Sequence, residues 1–263
     1  MTNIFQLSTA EAQKQVVETF SSDEKFCYSD VNIRSSMRYM ICDDTSAVEC
    51  LEVVRSKKIK HVLQNSVQSL QDKLAYLKQI DYRSEDYFDD KMNFLSAEVY
   101  SARFNAQNDR NQLLTDAFRT VGLDTDATKN QYLYQVGLEL VMNAQIDAPK
   151  ISSKNHAEDS ILIIEKNPNK GLVSISVIDF YGSLDCYKML ENIYAAHKNG
   201  FRNSMSKNSI GAGLGSALIY EYADSLLIGV IPDQKSRVTA ILPFGVSEKR
   251  MTQIQKSLHI IKE

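Results

Sequence analysis

The sequence predicts an α+β fold in which helices cover one face of a mixed β-sheet, preceded by a helical region. Two observations support this prediction. Residues 46–111 are nearly free of glycine and proline and rich in Leu, Gln, Lys, Glu and Ala, a composition typical of helices. From residue 112 onward, the segments follow the order helix, hairpin, helix, glycine-rich loop, helix, hairpin. This order suits an α/β sandwich better than a doubly wound parallel sheet.

The composition of the chain divides it into four segments. Residues 1–45 are irregular apart from a strand expected at "SMRYMIC", and residues 46–111 are the helical region. The α/β domain is expected over residues 112–248, and residues 249–263 form a C-terminal tail.

A repeat of apolar residues predicts a helical hairpin or a coiled coil in the second segment. The repeat has the spacing 4, 3, 4, 3 of an a/d seam and consists of Leu63, Val67, Leu70, Leu74 and Leu77. Such a seam either closes on a helix within residues 86–118 or pairs two subunits in a homodimer through residues 59–80. The sequence does not choose between them.

The elements of the α/β domain follow from its apolar patterns and turn residues. A helix is expected over residues 126–148, beginning near Thr125 and Asp126 as capping residues and ending before Pro149. Two strand-like runs follow, "SILIIEK" and "GLVSISVID", joined by the turn "NPNKG". After a helix at "LDCYKMLENIYAAHKNG" and a glycine cluster with its own helix, "SLLIGVI" and "RVTAILPF" flank the turn "PDQK".

Composition and charge exclude several classes of function. The 263 residues are 43% hydrophobic and 24% charged, as in an ordinary soluble globular protein. The net charge of −3 provides no basic footprint for nucleic acid or an anionic membrane. The N-terminal residues lack the pattern of a secretory signal, and no run of uncharged apolar residues is long enough to span a membrane. We expect a cytoplasmic protein with a protein or small-molecule partner.

The four cysteines indicate neither a metal site nor a disulfide framework. Cys27, Cys42, Cys50 and Cys186 show no CxxC spacing and no neighbouring pair of histidines. We therefore expect them to be small buried apolar residues.

Two short stretches contain residues suited to phosphate chemistry. Glu139 and Asn143 are four residues apart, so on a helix they project from one face. The amide oxygen of an asparagine suits Mg²⁺, and a carboxylate one turn away can act as a general base. Farther along, Gly211, Gly213 and Gly215 precede an apolar helix, where close backbone approach and unpaired N–H groups favour an anion.

These two stretches resemble the nucleotide-binding motifs of the GHKL ATPases, the superfamily that includes histidine kinases, anti-sigma-factor serine kinases, gyrase and Hsp90. "LELVMNAQIDAP" is similar to their N-box, and "GAGLGSALI" is similar to their second glycine box. The resemblance covers residues 112–248 and implies a histidine-kinase-like ATPase sandwich that binds ATP and Mg²⁺. It implies Asn143 as the Mg²⁺ ligand and Glu139 as the general base. The implied phosphate loop contains Gly211, Gly213, Leu214 and Gly215.

The first glycine box of the superfamily, Asp-x-Gly-x-Gly, is matched only in part by "SVIDFYGSL". The resemblance implies that Asp179 contacts adenine, with Gly182 in the loop beside it. Tyr181 and Ser183 occupy the two glycine positions of the motif. The tyrosine either stacks on adenine or fills the pocket. Ile146 stands where many histidine kinases have a lysine.

The layout around the N-box is closest to the branch of bacterial anti-sigma-factor and switch kinases. This likeness implies a signalling regulator that acts on a protein partner, namely a sigma factor, an anti-sigma antagonist or a response regulator. It implies an ATP-dependent protein kinase if the nucleotide site is intact. If the site is degenerate, the chain is a non-catalytic adaptor.

A rival interpretation comes from the helical region. "HVLQNSVQ" is similar to the H-box of some histidine kinases and phosphotransferases, with Asn65 at +4 and Gln68 at +7 from His61. An imidazole exposed on a helix is a suitable phosphoacceptor, which makes His61 a second candidate site.

Overall fold

The computed structural model describes residues 4–7, 25–28, 39–41, 46–55, 59–64, 68–82, 86–95, 97–124, 130–152, 158–199, 214–251 and 253–262. Ten strands within these residues form a single sheet. They are β1 (Ile4–Leu7), β2 (Lys25–Tyr28), β3 (Tyr39–Ile41), β4 (His61–Leu63), β5 (Glu98–Phe104), β6 (Ser160–Asn167), β7 (Leu172–Asp179), β8 (Ser225–Ile231), β9 (Lys235–Pro243) and β10 (Ser257–Lys262).

The sheet is mixed, with the order β2-β1-β3-β4-β10-β8-β9-β7-β6-β5. The run from β8 through β9, β7 and β6 to β5 is antiparallel throughout. β10 is parallel to β8 and antiparallel to β4, and the remaining pairs are parallel. The two hairpins expected from the sequence are confirmed as β6–β7 and β8–β9.

Helices pack on both faces of this sheet. The described helices are α1 (Ala47–Arg55), α2 (Leu70–Tyr82), α3 (Arg110–Thr120), α4 (Gln131–Met142), α5 (Ala148–Ile151), α6 (Cys186–Lys198), α7 (Leu214–Tyr222) and α8 (Glu248–Met251), with a 3₁₀ turn at Asp86–Phe88 and a π turn at Asn143–Asp147. The expected α+β sandwich is therefore confirmed.

The alternation of side chains along the strands separates two cores. On one face, Val173, Ile175 and Val177 of β7 belong to the larger core, to which α1, α3, α4, α6 and α7 contribute. On the opposite face, Leu227 and Ile241 pack with α2 and the 3₁₀ turn. Helices cover the face of the sheet that carries the larger core, as expected. On the opposite face, α2 covers part of the sheet.

The predicted helical hairpin or coiled coil is wrong. Residues 46–111 contain the short strand β4 and the edge strand β5 in addition to α1 and α2. Leu63 lies in β4, whereas Leu70, Leu74 and Leu77 lie on α2 and are buried against the sheet of their own chain. The spacing of the leucines on α2 reflects the packing of one amphipathic helix on a sheet rather than the pairing of two helices.

The same packing removes the basis for the proposed homodimer through residues 59–80. β4 is an interior strand between β3 and β10, and α2 directs its buried leucines toward that sheet. The expected helix over residues 86–118 is also wrong in its first part, because residues 98–104 form β5 and pair with β6. Pairing between distant segments overrides a helical composition here.

Three further expectations concern the ends of elements. The strand expected at "SMRYMIC" is confirmed as β3. The expected helix over residues 126–148 is α4 followed by the π turn, and Pro149 lies in the first turn of α5 instead of after the helix. Its expected caps, Thr125 and Asp126, lie outside the described residues. The tail contains β10, which lies between β4 and β8 in the sheet.

None of the helices that the structure describes is long and apolar enough to cross a membrane. Cys50 and Cys186 are free and buried, as expected from their spacing.

Candidate functional site

A cavity of about 680 Å³ lies over the larger core. One wall consists of α4, the π turn and α5, and the other wall is α6. Val177 of β7 and Val238 of β9 form part of the floor, and the first residues of α7, Leu214 and Gly215, close one end. Cavities of about 300–1,000 Å³ are the size at which proteins bind small ligands and cofactors.

Glu139 and Asn143 both line this cavity from the α4 wall. The backbone N–H of Asn143 donates to the carbonyl oxygen of Glu139, so the two side chains are one helical turn apart, as their spacing predicts. Their carboxylate and amide oxygens are hard ligands of the kind that Mg²⁺ prefers.

The helix changes from α to π geometry at Asn143. The backbone N–H of Ala148 donates to the carbonyl oxygen of Asn143, five residues earlier, which is the π pattern. The wider turn leaves Asp147 lining the same cavity as Asn143 and Glu139. Single π turns occur often at functional sites, and this one adds a carboxylate that the sequence analysis did not identify.

Glu139 directly contacts the glycine-rich stretch at Gly215. A Cβ atom built on Gly215 would overlap Oε2 of Glu139, the end of a flexible side chain. Glycine at position 215 therefore lets the first turn of α7 approach the Glu139 carboxylate, whose negative charge is favourable near a helix N-terminus. Leu214 lines the cavity as well, whereas Gly211 and Gly213 lie outside the described residues.

The environment of Glu139 makes its carboxylate more basic. Partial burial raises the pKa of Glu139, and the negative charge of Asp147 raises it further. A carboxylate whose pKa lies above its ordinary value accepts a proton more readily near neutral pH.

Asp179 lines the cavity at the end of β7 and is nearly buried, at 9% exposure. Its Oδ1 accepts hydrogen bonds from the backbone N–H groups of Tyr181, at 3.0 Å, and Gly182, at 3.1 Å. The turn that follows β7 thus holds this carboxylate in place.

Gly182 has a positive φ of 62° and packs against the turn between β8 and β9. A Cβ atom there would lie 2.5 Å from both the carbonyl oxygen of Ile231 and the backbone nitrogen of Gln234. Gly182 is not among the described residues that line the cavity; its N–H donates to Asp179, and its carbonyl oxygen accepts from the backbone N–H of Asp233 in the neighbouring hairpin.

The two residues at the altered glycine positions are placed differently. Ser183 lines the cavity, and its hydroxyl donates to the carbonyl oxygen of Ala148 at 3.0 Å. Tyr181 is not among the described residues that line the cavity.

His61 is far from the expected surface position. It lies in β4 instead of on a helix, is 4% exposed, and stacks on Tyr39 with the ring centroids 4.6 Å apart. The imidazole of His259 is 5.6 Å away on the adjacent strand β10. The expectation of an exposed imidazole on a dimerising helix is therefore wrong.

Several residues of the cavity were missed by the sequence analysis. Lys188 and Asn192 line it from α6, next to Asp185, which caps that helix. Their spacing of four residues equals that of Glu139 and Asn143, and it is the signal that could have identified them. Ser216 and an apolar set complete the lining; the apolar residues are Leu140, Met142, Ala144, Ala148, Ile151, Val177, Leu184, Met189 and Val238.

The residues present fit a magnesium nucleotide. The apolar lining suits a base, and Glu139, Asn143 and Asp147 bring side chains with oxygen ligands to the same cavity. The described residues contain no group of three or more His, Cys, Asp and Glu side chains placed to hold a metal ion. Mg²⁺ bound together with nucleotide phosphates and water needs only one or two protein ligands.

Comparison with known proteins leaves the chain without a family. No family model matches it, and no curated protein matches it. Among solved structures, it is similar to a chain in the crystal structure of a SiaB–SiaC complex from Pseudomonas aeruginosa. That likeness has 14% sequence identity and a TM-score of 0.39, and it covers 64% of this chain and 98% of the other. Similarity at this level establishes neither a family nor a function.

Proposed function

We propose that the cavity binds Mg²⁺–ATP and that the protein is an ATP-dependent kinase of a protein partner, acting as a bacterial signalling regulator. One observation carries the proposal. Glu139 and Asn143 on one helix, Asp179 and Gly215 come from three separate stretches of the sequence, and all four line one cavity of nucleotide size.

Two groups in the cavity lining would suit the two parts of a nucleotide. The Asp179 carboxylate, held by its own turn, would accept a hydrogen bond from the amino group of adenine. Backbone N–H groups of the first turn of α7 would face the phosphates. Mg²⁺, held on the protein side by the amide oxygen of Asn143, would neutralise phosphate charge.

In this proposal, Glu139 would accept the proton of the attacking hydroxyl. As the hydroxyl oxygen of a serine bonds to the terminal phosphorus of ATP, the bond from that phosphorus to the bridging oxygen breaks and ADP leaves. The hydroxyl proton passes to the Glu139 carboxylate, whose raised pKa favours the transfer. Positioning and charge neutralisation supply the rest of the rate enhancement.

Calorimetric titration with Mg²⁺–ATP tests nucleotide binding. We expect the wild-type protein to bind, and Asn143→Ala to weaken the binding of Mg²⁺–ATP while leaving that of adenosine unchanged. Asp179→Asn should weaken the binding of both ligands, because in this proposal Asp179 contacts the adenine base that they share. Asn111→Ala, on α3 outside this cavity, is the matched control. Failure of the wild-type protein to bind at millimolar nucleotide would refute the proposal and leave the non-catalytic adaptor.

Turnover separates a kinase from a nucleotide-binding adaptor. With labelled ATP, we expect slow release of phosphate by the wild-type protein in the absence of a partner. Glu139→Gln should retain binding and lose turnover by about 10²-fold, the low end of the range for a general base. Binding without turnover in the wild-type protein, together with no effect of Glu139→Gln, would argue against catalysis.

A further inference from the structure

The charges around the cavity are unbalanced. Among the described residues that line it, four are carboxylates, namely Glu139, Asp147, Asp179 and Asp185. Lys188 is the one cation in the same lining. Carboxylates around an apolar cavity repel an anionic ligand unless cations offset them.

Lys188 lies on the α6 wall of the cavity and carries the one positive charge of the described lining. Its backbone N–H donates to Oδ1 of Asp185 at 2.9 Å, which anchors the first turn of the helix. Its ammonium group forms no ion pair with any residue in the part of the chain that the structure describes. Asn192 lines the cavity one turn later on the same wall.

The opposite wall has the complementary character. Glu139, Asn143 and Asp147 present oxygen atoms from α4 and the π turn, which suits a metal ion and repels bare phosphate oxygens. A metal-bound polyphosphate on that wall would still carry negative charge toward α6. A lysine is a compact charge on a flexible stem, and it binds phosphate as a point charge.

We infer that Lys188 is a positioning residue that pairs with the phosphate oxygens of the ligand and makes the cavity select a polyphosphate over the uncharged nucleoside. The inference rests on the proposed function, because it concerns the same cavity and the same ligand class. The ligand would then be held between two helices. Residues of α4 would hold its metal ion, and Lys188 of α6 would pair with the remaining negative charge of its phosphates.

The test is calorimetric titration of the full chain with adenosine, ADP and ATP, each with Mg²⁺. We expect Lys188→Ala to weaken ATP binding on the order of 10-fold and to change adenosine binding less than 2-fold. Lys188→Arg should retain most of the ATP affinity because it keeps the charge. Lys188→Glu should lose more ATP affinity than Lys188→Ala does. Lys198→Ala, on the last turn of the same helix, is the control and should bind all three ligands as the wild type does.

The outcomes separate this inference from the proposed function. If the wild-type protein binds ATP and Lys188→Ala binds it equally well, the inference is wrong and the proposed function stands. Equal weakening of adenosine and ATP would also overturn it, since that result indicates a change of shape and not a lost charge. If the wild-type protein binds neither adenosine nor ATP, the proposed function fails and Lys188 has no such ligand to position.

Discussion

Glu139 and Gly215 touch across two helices, with Oε2 of the glutamate in the place where a Cβ atom on Gly215 would lie. The contact joins the two motifs that the sequence analysis found separately, the helix of Glu139 and Asn143 and the glycine-rich stretch. Because the glutamate occupies the space of a side chain at position 215, its carboxylate has a defined position at the end of the cavity.

Gly215→Ala tests this contact. The new methyl group would displace the end of a flexible side chain and no backbone atom, so we expect a folded protein with a displaced Glu139 carboxylate. Under the proposed function, ATP turnover should fall about 10²-fold, as in Glu139→Gln. The double variant should lose little more than either single one, because both changes act through one carboxylate.

Gly171→Ala is the control for this experiment, since a Cβ atom on Gly171 meets nothing within 4 Å. It should leave turnover unchanged. Additive losses in the double variant would show that Gly215 and Glu139 act separately.

Gly182→Ala should destabilise the fold more than Gly171→Ala does. Both glycines have a positive φ, 62° and 63°, so the left-handed backbone costs each alanine variant about 1–2 kcal/mol of folding free energy. At Gly182 the methyl group would also meet the carbonyl oxygen of Ile231 and the backbone nitrogen of Gln234 at 2.5 Å. We expect a total loss above about 3 kcal/mol in the free energy of unfolding, measured with urea. Equal losses in the two variants would contradict the packing argument.

Asp147→Asn should lower the pKa of Glu139. Burial is the larger cause of the raised pKa of Glu139, and the charge of Asp147 adds to it, so removal of that charge leaves burial alone. The measurement is a ¹³C NMR titration of the Glu139 carboxyl group in both proteins. If turnover depends on ionised Glu139, the rise of activity with pH should also move to lower pH. Asp116→Asn, on α3, is the control, and an unchanged titration of Glu139 in Asp147→Asn would refute the coupling.

Lys73→Met should cost about 3–5 kcal/mol of folding free energy. The ammonium of Lys73 and the carboxylate of Asp224 are 3.0 Å apart, and both side chains are fully buried. The substitution leaves the Asp224 carboxylate in the interior without its cation. Arg119→Met, which removes a largely exposed partner of Asp116, should cost less than about 1 kcal/mol. Urea denaturation compares the two, and similar losses would show that burial does not matter for this pair.

Glu165 should make the protein less stable as the pH rises from about 4.5 to 7. Burial raises the pKa of Glu165 to about 7, so the folded protein retains a proton that the unfolded chain has already released. The unfolded state then binds fewer protons, and stability falls with pH across that window by about 3 kcal/mol.

Glu165→Gln should remove this part of the pH dependence. A glutamine retains an oxygen to accept the hydrogen bond that the backbone N–H of Leu95 donates to Glu165 at 2.8 Å. Urea denaturation at pH 5 and pH 8 measures the difference between the two proteins. Parallel stability profiles would show that Glu165 ionises normally in the folded state.

Local patterns in the sequence were sufficient for the elements whose apolar periodicity is long. Most apolar residues in the predicted runs of β6, β7 and α6 are buried in the structure. The pairing of Glu139 with Asn143 was also a local property, because a spacing of four residues on a helix sets their relation.

Other features depended on contacts between distant segments. Leu63, with His61 in the same short strand, joined the sheet between β3 and β10, although its spacing to the next leucines matched a helix. β10 became an interior strand although it lies in the expected tail. Strand pairing of this kind depends on partners far away in the chain, which no local window contains.

The sequence by itself therefore determined the two hairpins and the helix that presents Glu139 and Asn143. Only the tertiary structure decided that Asp147 and Lys188 face the same cavity and that His61 is buried. The physical reason is that periodicity specifies which face of an element is apolar, whereas the packing of elements decides which polar groups on different elements meet.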